Sequence, residues 1–281
     1  MIYYEDDCGK LILGDFTQNL EKESVDLIIT SPPYDGLRNY KGYVFDIQDA
    51  AKPLFNCLKY GGVMVWIVKD QTKDGNKTGT SFRQALTFQE AGFKMWDLMI
   101  YAKRGFSNPE KVRYHNVFEF MFVFSKGKVK TFNPIMDKPN KNAGQRGNWG
   151  KNTQRQKDGT LKENPQGGLT ANYGKRYNIW YYNTGKGHSS SDEEAFKHPA
   201  IMPEHLVHDH VVSWSNEGDI VLDPMVGSGT TVKVAKALNR NYIGIDTSET
   251  YLKDCCIPRL KRTKTGDINA IHFQKQSPAI P

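Results

Sequence analysis

Short apolar runs alternate with segments of helical periodicity along most of the chain. The runs at 25–30, 63–68 and 220–223 are rich in β-branched residues, which predicts buried β-strands. The segment at 46–58 instead places its apolar residues at helical spacing, and we expect the glycine pair at 61–62 to end that helix. The alternation predicts an α/β fold in which helices cover both faces of a parallel or mixed sheet.

The predicted strand at 25–30 runs directly into Ser31, Pro32, Pro33 and Tyr34. Neither proline has an N–H to donate to a β-ladder, so the chain must leave the sheet here. The prolines also restrict Ser31 towards extended geometry, which gives its hydroxyl and the neighbouring carbonyls fixed directions. Fixed acceptors beside an aromatic ring suit a planar base that carries an amino group. The same four residues also fit a proline-terminated strand of an unrelated α/β protein.

A second strand end lies near the other end of the sequence. The strand at 220–223 ends in an acid, Asp223, and a glycine turn at 227–229 then opens a predicted helix. The next strand ends in Asp246, nineteen positions after Gly227. This is the layout of a nucleoside-binding βαβ unit, in which the second acid accepts hydrogen bonds from ribose hydroxyls.

The glycine turn also indicates which nucleoside could bind. Neither the G-x-G-x-x-G pattern of pyrophosphate cofactors nor the lysine of a Walker-type loop is present. Gly227 and Gly229 permit a close approach to the backbone, and Asp223 answers a positive charge. These features suit S-adenosylmethionine, which has an amino acid moiety and a sulfonium. A tight strand-to-helix turn with no ligand is the alternative.

The positive charge of the chain is concentrated in its middle. The 281 residues carry a net charge of +7, yet the segment at 126–187 contains thirteen lysines and arginines against three acids. Hydrophobic periodicity fails from 126 to about 177, where Asn, Gly, Lys and Gln dominate. The segment is either a flexible, solvated insertion or a DNA-contacting region that meets phosphates with its cations and base edges with its amides.

Several other classes of protein are disfavoured by the sequence. No apolar run reaches about 18 residues and the N-terminus is acidic, so we expect no membrane span, no signal peptide and a cytoplasmic location. Four cysteines without a CxxC pattern fit a reducing compartment. The cluster at 205–210 contains three histidines and an aspartate, but their spacing converges no set of three or four ligands, so we expect no metal site.

The two strand-end motifs resemble those of the DNA amino-methyltransferases. The residues at 30–34 are similar to the catalytic motif of that family, those at 223–231 to its cofactor motif, and those at 198–206 to the segment before the cofactor strand. The catalytic motif comes first here, which is the order of the β group, a circular permutation of the usual arrangement. The resemblance covers about 10–125 and 180–262. It implies a Rossmann-like mixed sheet with an inserted target-recognition region.

The resemblance also implies a division of the chain and a set of site residues. It divides the chain into a catalytic half at 1–125, a basic target-recognition region at 126–187 and a cofactor-binding half at 188–281. The implied catalytic residues are Ser31, Pro32, Pro33 and Tyr34. The implied cofactor residues are Asp15 at the adenine end, Asp223, Pro224, Gly227, Ser228, Gly229, Thr230, and Asp246 at the ribose. Met225 departs from the phenylalanine common in the family, although methionine can still pack against a cofactor.

The first residue of the catalytic motif bears on the target base. Serine, here Ser31, resembles the cytosine-N4 enzymes, whereas adenine-N6 enzymes usually carry aspartate or asparagine. The resemblance therefore implies methylation of cytosine N4 in duplex DNA, with the base flipped out and stacked on Tyr34, and adenine N6 is the runner-up. No cysteine follows a proline, as carbon-5 methylation would need.

Two readings from other classes stay open at this point: an RNA or small-molecule methyltransferase, and a non-catalytic DNA-binding module. The sequence also leaves open a homodimer and a cognate restriction enzyme.

Overall fold

The computed structural model describes residues 1–33, 45–106, 109, 111–145, 153–163 and 168–274. Within these residues the chain forms two compact units. The first is built from the described parts of Met1–Asn133 and Asn178–Pro281, and the second from those of Pro134–Tyr177.

The first unit is organised around a mixed sheet, to which nine of the strands in the described residues belong. The strands along the chain are β1 Ile2–Asp6, β2 Gly9–Leu13, β3 Val25–Thr30, β4 Leu58–Val68, β5 Thr72–Lys73, β6 Asn76–Lys77, β7 Lys94–Ala102, β8 Phe118–Ser125, β9 Lys138–Pro139, β10 Thr153–Arg155, β11 Leu161–Glu163, β12 Tyr173–Gly174, β13 Ile179–Tyr181, β14 Ile220–Asp223 and β15 Asn241–Asp246. The order across the sheet is β1-β2-β15-β14-β3-β4-β8-β7-β13. The five strands from β2 to β4 in this order run parallel, whereas β8 runs antiparallel to both of its neighbours.

Helices lie on both faces of the sheet, as predicted. They are α1 Ile47–Cys57, α2 Thr80–Glu90, α3 Glu204–Trp214, α4 Thr230–Ala237, α5 Glu249–Tyr251 and α6 Ile257–Arg262, with a π-helical turn at Leu252–Cys256 and 3₁₀ turns at Phe16–Gln18, Glu193–Lys197 and Ile268–Ala270. The core beneath α1 and α2 includes Ile28 of β3 and Trp66 of β4. Trp66 is fully buried, packs edge-on against Phe88 and donates its indole N–H to Gln84 at 2.9 Å. The α3 and α4 helices pack against β3, β4, β14 and β15.

The expectation that the glycines at 61–62 end a helix is wrong. Helix α1 ends at Cys57, and β4 begins at the next residue and continues through both glycines. Gly61 has a φ of +88°, and a Cβ on it would meet the Lys130 side chain at 2.4 Å, while a Cβ on Gly62 would lie 2.8 Å from the Asp26 carbonyl oxygen. The two glycines therefore permit close approach within the sheet.

The second unit contains two small antiparallel pairs, β9 with β12 and β10 with β11. An ion pair between Arg176 and Asp137 joins residues near its two ends. The unit lies within the predicted region at 126–187. On its C-terminal side the chain returns to the first unit, where β13 pairs in parallel with β7. None of the helices in the described ranges has the length and hydropathy needed to cross a membrane.

Candidate active site

The two strand-end motifs of the sequence lie side by side at one edge of the sheet. Strand β3, which leads to Ser31, pairs in parallel with β14, which ends at Asp223, so both carboxyl ends face the same way. The Thr30 hydroxyl donates to Oδ1 of Asp223 at 2.8 Å, and the Thr231 hydroxyl donates to the Ile29 carbonyl at 3.4 Å. The catalytic and cofactor motifs are therefore joined by direct hydrogen bonds.

A cavity of about 1150 Å³ opens at this edge. The predicted site residues that line it are Ser31, Pro32, Pro33, Asp223, Pro224, Gly227, Ser228, Thr230 and Asp246. Asp15 and Gly229 are not among the lining residues. Asp15 instead begins a 3₁₀ turn, where its Oδ1 accepts from the backbone N–H and the hydroxyl of Thr17 at 2.8 Å. Tyr34 lies outside the described residues.

Asp246 holds the glycine turn from the end of β15. Its Oδ2 accepts from the backbone N–H of Gly227 at 2.9 Å and its Oδ1 from that of Ser248 at 2.8 Å. Burial raises the pKa of this carboxyl. Gly227 has a φ of +45°, and a Cβ on it would meet Nε2 of His198 at 2.8 Å. The turn therefore needs glycine at this position, and each carboxylate oxygen keeps acceptor capacity for a ligand hydroxyl.

Asp223 is a buried carboxyl at the centre of the site. Burial raises its pKa to about 6, although hydrogen bonds from Thr30, Thr231 and the Met225 backbone N–H oppose that rise. The buried carboxyl therefore keeps its proton to a higher pH than an exposed aspartate does. It is also a structural joint, because its Oδ1 accepts both the Thr30 hydroxyl and the Met225 N–H, the latter at 3.2 Å.

A family model described as DNA methylase, covering N6 and N4 enzymes, matches residues 25–256. The chain belongs to the N6/N4 DNA methylase family. It is a DNA methyltransferase of the N4/N6 class, which confirms the resemblance inferred from its motifs and replaces the two readings from other classes. Family membership also confirms the predicted cofactor, S-adenosylmethionine.

Individual members of the family support this placement. The methylase is 48% identical over 244 residues to the orphan methyltransferase M.BamHII of Bacillus amyloliquefaciens. The alignment covers 87% of this chain and 91% of that protein. It is 25% identical to the Type II methyltransferase M.SmaI of Serratia marcescens over 86% of this chain and 87% of that protein.

Among solved structures, the PvuII cytosine-N4-specific DNA methyltransferase matches with a TM-score of 0.64 at 19% identity, covering 89% of this chain and 86% of that one. The M1.HpyAVI–SAM complex matches with a TM-score of 0.57 at 22% identity, covering 90% and 99%. These two likenesses confirm the predicted fold.

The described residues of the methylase fit S-adenosylmethionine. The backbone at Gly227 offers a surface that a side chain would block, and Asp246 offers acceptor oxygens for ribose hydroxyls. Ser228 and Thr230 line the cavity where α4 begins, so the positive end of that helix lies at the cavity surface, where it could accept an anionic group of a ligand. Met225, the departure from the family pattern, also lines the cavity.

A second polar group lines the cavity of the methylase and was missed from the sequence. Lys69, Tyr101, Lys103 and Glu119 lie at the ends of β4, β7 and β8. Lys103 and Glu119 form an ion pair, and Lys103 Nζ lies 5.1 Å from the centroid of the Tyr101 ring. The Tyr101 hydroxyl is buried without a hydrogen-bond partner in the described part of the chain, and burial raises its pKa. Residues 101 and 103 share a face by strand alternation, but the antiparallel entry of β8 carried no sequence signal.

The segment at 198–206, which resembles the one before the cofactor strand in the DNA amino-methyltransferases, forms another part of the cavity surface. His198 and the residues up to Pro203 line it, together with positions between Thr184 and Phe196. The His198 ring packs edge-on against Tyr251 with centroids 4.5 Å apart. Within the described ranges, no three His, Cys, Asp or Glu side chains converge as a metal site. In the histidine cluster of α3, His208 Nδ1 lies 2.7 Å from Asp209 Oδ1, and His210 packs on Trp180.

Proposed function

We propose that this methylase transfers the methyl group of S-adenosylmethionine to the exocyclic N4 of cytosine in duplex DNA, with the target base flipped out. The observation that supports it best is the position of Ser31 across the sheet. Strand β3 has the cofactor-motif strands β14 and β15 on one side, and β4, β8 and β7 on the other. Ser31 therefore stands between the glycine turn and the polar group of Tyr101, Lys103 and Glu119.

The role proposed for Ser31 and Pro32 follows from the chemistry of an exocyclic amine. Its nitrogen is a poor nucleophile because its lone pair is delocalised into the aromatic ring. The Ser31 hydroxyl and the Pro32 carbonyl oxygen accept hydrogen bonds from the amino protons, which orients the nitrogen towards the cofactor side of the cavity. When bound, S-adenosylmethionine would supply a methyl group activated by its sulfonium and would leave as the neutral thioether, and the methylated amine would give up one proton to water. Asp223 places a negative charge at the end of the neighbouring strand, and Asp246 accepts the ribose hydroxyls.

The flipped base is assigned to the side of the cavity beyond β4. An amino group inside a stacked duplex is out of reach, so the nucleotide must rotate out of the helix. The Tyr101 hydroxyl and Lys103 Nζ are donors, and cytosine presents two acceptors, N3 and O2, beside its amino group. On its Watson–Crick edge adenine presents only one acceptor, N1, beside its amino group. Two donors therefore favour cytosine at this position. Tyr34 is proposed to stack on the base.

The second unit, Pro134–Tyr177, is proposed as the main part of the target-recognition region at 126–187. Arg155, Lys157 and Lys162 are exposed on or beside its β10–β11 hairpin. Such cations suit DNA phosphates, whose neutralisation releases counterions and makes binding sensitive to salt. Lys151, which belongs to the same basic run, lies outside the described residues.

The test is nucleoside mass spectrometry on plasmid DNA from a host that lacks its own DNA methylation. We expect N4-methylcytosine with the wild-type protein and none with the matched Ser31→Ala variant. If N6-methyladenine forms instead, the second candidate, methylation of adenine N6, replaces methylation of cytosine N4, because the family contains both kinds of enzyme. Neither product at a confirmed level of folded protein would contradict the proposal as a whole.

A further inference from the structure

We infer that Arg259 is a positioning residue for the cofactor site: it holds the glycine turn and a neighbouring part of the cavity surface in one arrangement from behind. The inference rests on the cofactor site assigned above and is independent of which base is methylated. Arg259 lies in α6, has only 1% of its surface exposed, and is not among the residues that line the cavity. It can act on a ligand only through the residues that it contacts.

One side of the Arg259 guanidinium contacts the glycine turn. Nη1 donates to the carbonyl oxygen of Ser228 at 2.5 Å and to the hydroxyl of Thr230 at 3.2 Å. Both of these residues line the cavity, and Thr230 is the first residue of α4. The guanidinium therefore fixes the backbone of the glycine turn where α4 begins, at the surface of the cavity.

The other side of the guanidinium contacts the segment at 184–204, whose residues line another part of the same cavity. Nε donates to Oδ2 of Asp192 at 2.8 Å, and Nη2 donates to Oε1 of Glu204 at 2.6 Å. Asp192 lies between two residues that line the cavity, Ser189 and Phe196. The planar, many-donor geometry of arginine allows one side chain to join both parts of the site.

Lys233 completes the charge balance of this buried cluster. Its Nζ donates to Asp192 at 2.8 Å and to both oxygens of Glu204 at 2.9 Å. Glu204 is fully buried and also accepts from the Ser190 hydroxyl and from the His272 backbone N–H. The two buried cations, Arg259 and Lys233, thus match the two carboxylates, while the exposed Arg262 lies 3.9 Å from Asp192 at the edge of the cluster. These mutual contacts hold the buried members in one geometry.

A lysine at position 259 would keep the positive charge but lose the hydrogen bonds that link the two parts of the site, because its ammonium is a single point that cannot reach all four partners. We therefore expect Arg259→Lys to loosen the turn and weaken cofactor binding. Arg240 supplies a matched control. It is also buried, and it donates hydrogen bonds to Ser215 and to the Leu238 carbonyl oxygen. Arg240 comes just before the first residue of β15, at the opposite end of that strand from Asp246.

The experiment compares the full-length wild type with Arg259→Lys and Arg240→Lys by calorimetric titration with S-adenosylmethionine, well below each melting temperature. Both variants are expected to lower the Tm. Only Arg259→Lys should raise the Kd for S-adenosylmethionine, by about tenfold, which corresponds to about 1.4 kcal/mol, while its affinity for a duplex oligonucleotide stays unchanged. A purely structural role would lower the Tm and leave the Kd near that of Arg240→Lys, which would overturn the inference.

Asp192→Asn provides a second test of the inference in case Arg259→Lys does not fold. It keeps the shape of the side chain and weakens the charge-assisted bonds from Arg259 and Lys233, so we expect the same rise in Kd on a smaller scale. An unchanged Kd in Asp192→Asn would also overturn the inference. A wild-type protein that binds no S-adenosylmethionine would contradict the cofactor site itself, which distinguishes the two failures.

Discussion

The burial of the Asp223 carboxyl predicts how a substitution there changes the free energy of unfolding and the affinity for S-adenosylmethionine. Burial raises its pKa from 3.8 to about 6. The folded protein therefore binds the proton more tightly than the unfolded chain, so the stability associated with this group is present below pH 4 and is lost as the pH rises through about 6. The pKa difference corresponds to about 3 kcal/mol of destabilisation at pH 8. Asp223→Asn removes the charge and keeps an acceptor oxygen for the Thr30 hydroxyl and the Met225 N–H.

We expect Asp223→Asn to raise the free energy of unfolding at pH 8 by up to about 3 kcal/mol, and by less than about 1 kcal/mol at pH 4. Urea unfolding followed by tryptophan fluorescence at both pH values measures the difference. The same variant should bind S-adenosylmethionine more weakly, because it lacks the negative charge assigned to the sulfonium. An equal change in stability at pH 4 and pH 8, or a loss of stability at pH 8, would refute the reasoning from burial.

Three further predictions concern the catalytic and DNA-contacting residues. Ser31→Ala should lower kcat by at least about a hundredfold while changing the Kd for S-adenosylmethionine little, and equal losses in both would contradict its proposed role. Tyr101→Phe should preserve or raise the Tm, because it removes a buried hydroxyl that has no hydrogen-bond partner among the described residues, while lowering kcat/KM for DNA; an unchanged kcat/KM would show that the hydroxyl does not contact the substrate. Replacing Arg155 and Lys157 by alanine should reduce the slope of log Kd against log salt by about two, and an unchanged slope would remove this hairpin from the interface.

Much of the fold could be predicted from local sequence. Strands β3 and β14 have the predicted bounds, because a parallel strand covered on both faces is a nearly continuous apolar run that the sequence shows directly. The glycine turn and the acid at the end of β15 could also be predicted, since both depend on spacing within one βαβ unit. The start of β4 could not, because the glycines at 61–62 serve contacts with Lys130 and Asp26, which lie far away in the sequence.

The sequence by itself determined the fold class, the family and the two motifs, because strand burial, turn chemistry and spacing are local properties. Only the tertiary structure decided which distant residues join those motifs. The antiparallel strand β8 brings Glu119 to the cavity that Ser31 also lines, and α6 brings Arg259 behind Ser228. Hydrophobic periodicity indicates that a residue is buried but does not identify the residues that it contacts. The Lys103–Glu119 ion pair and the contacts of Arg259 could therefore be found only in the tertiary structure.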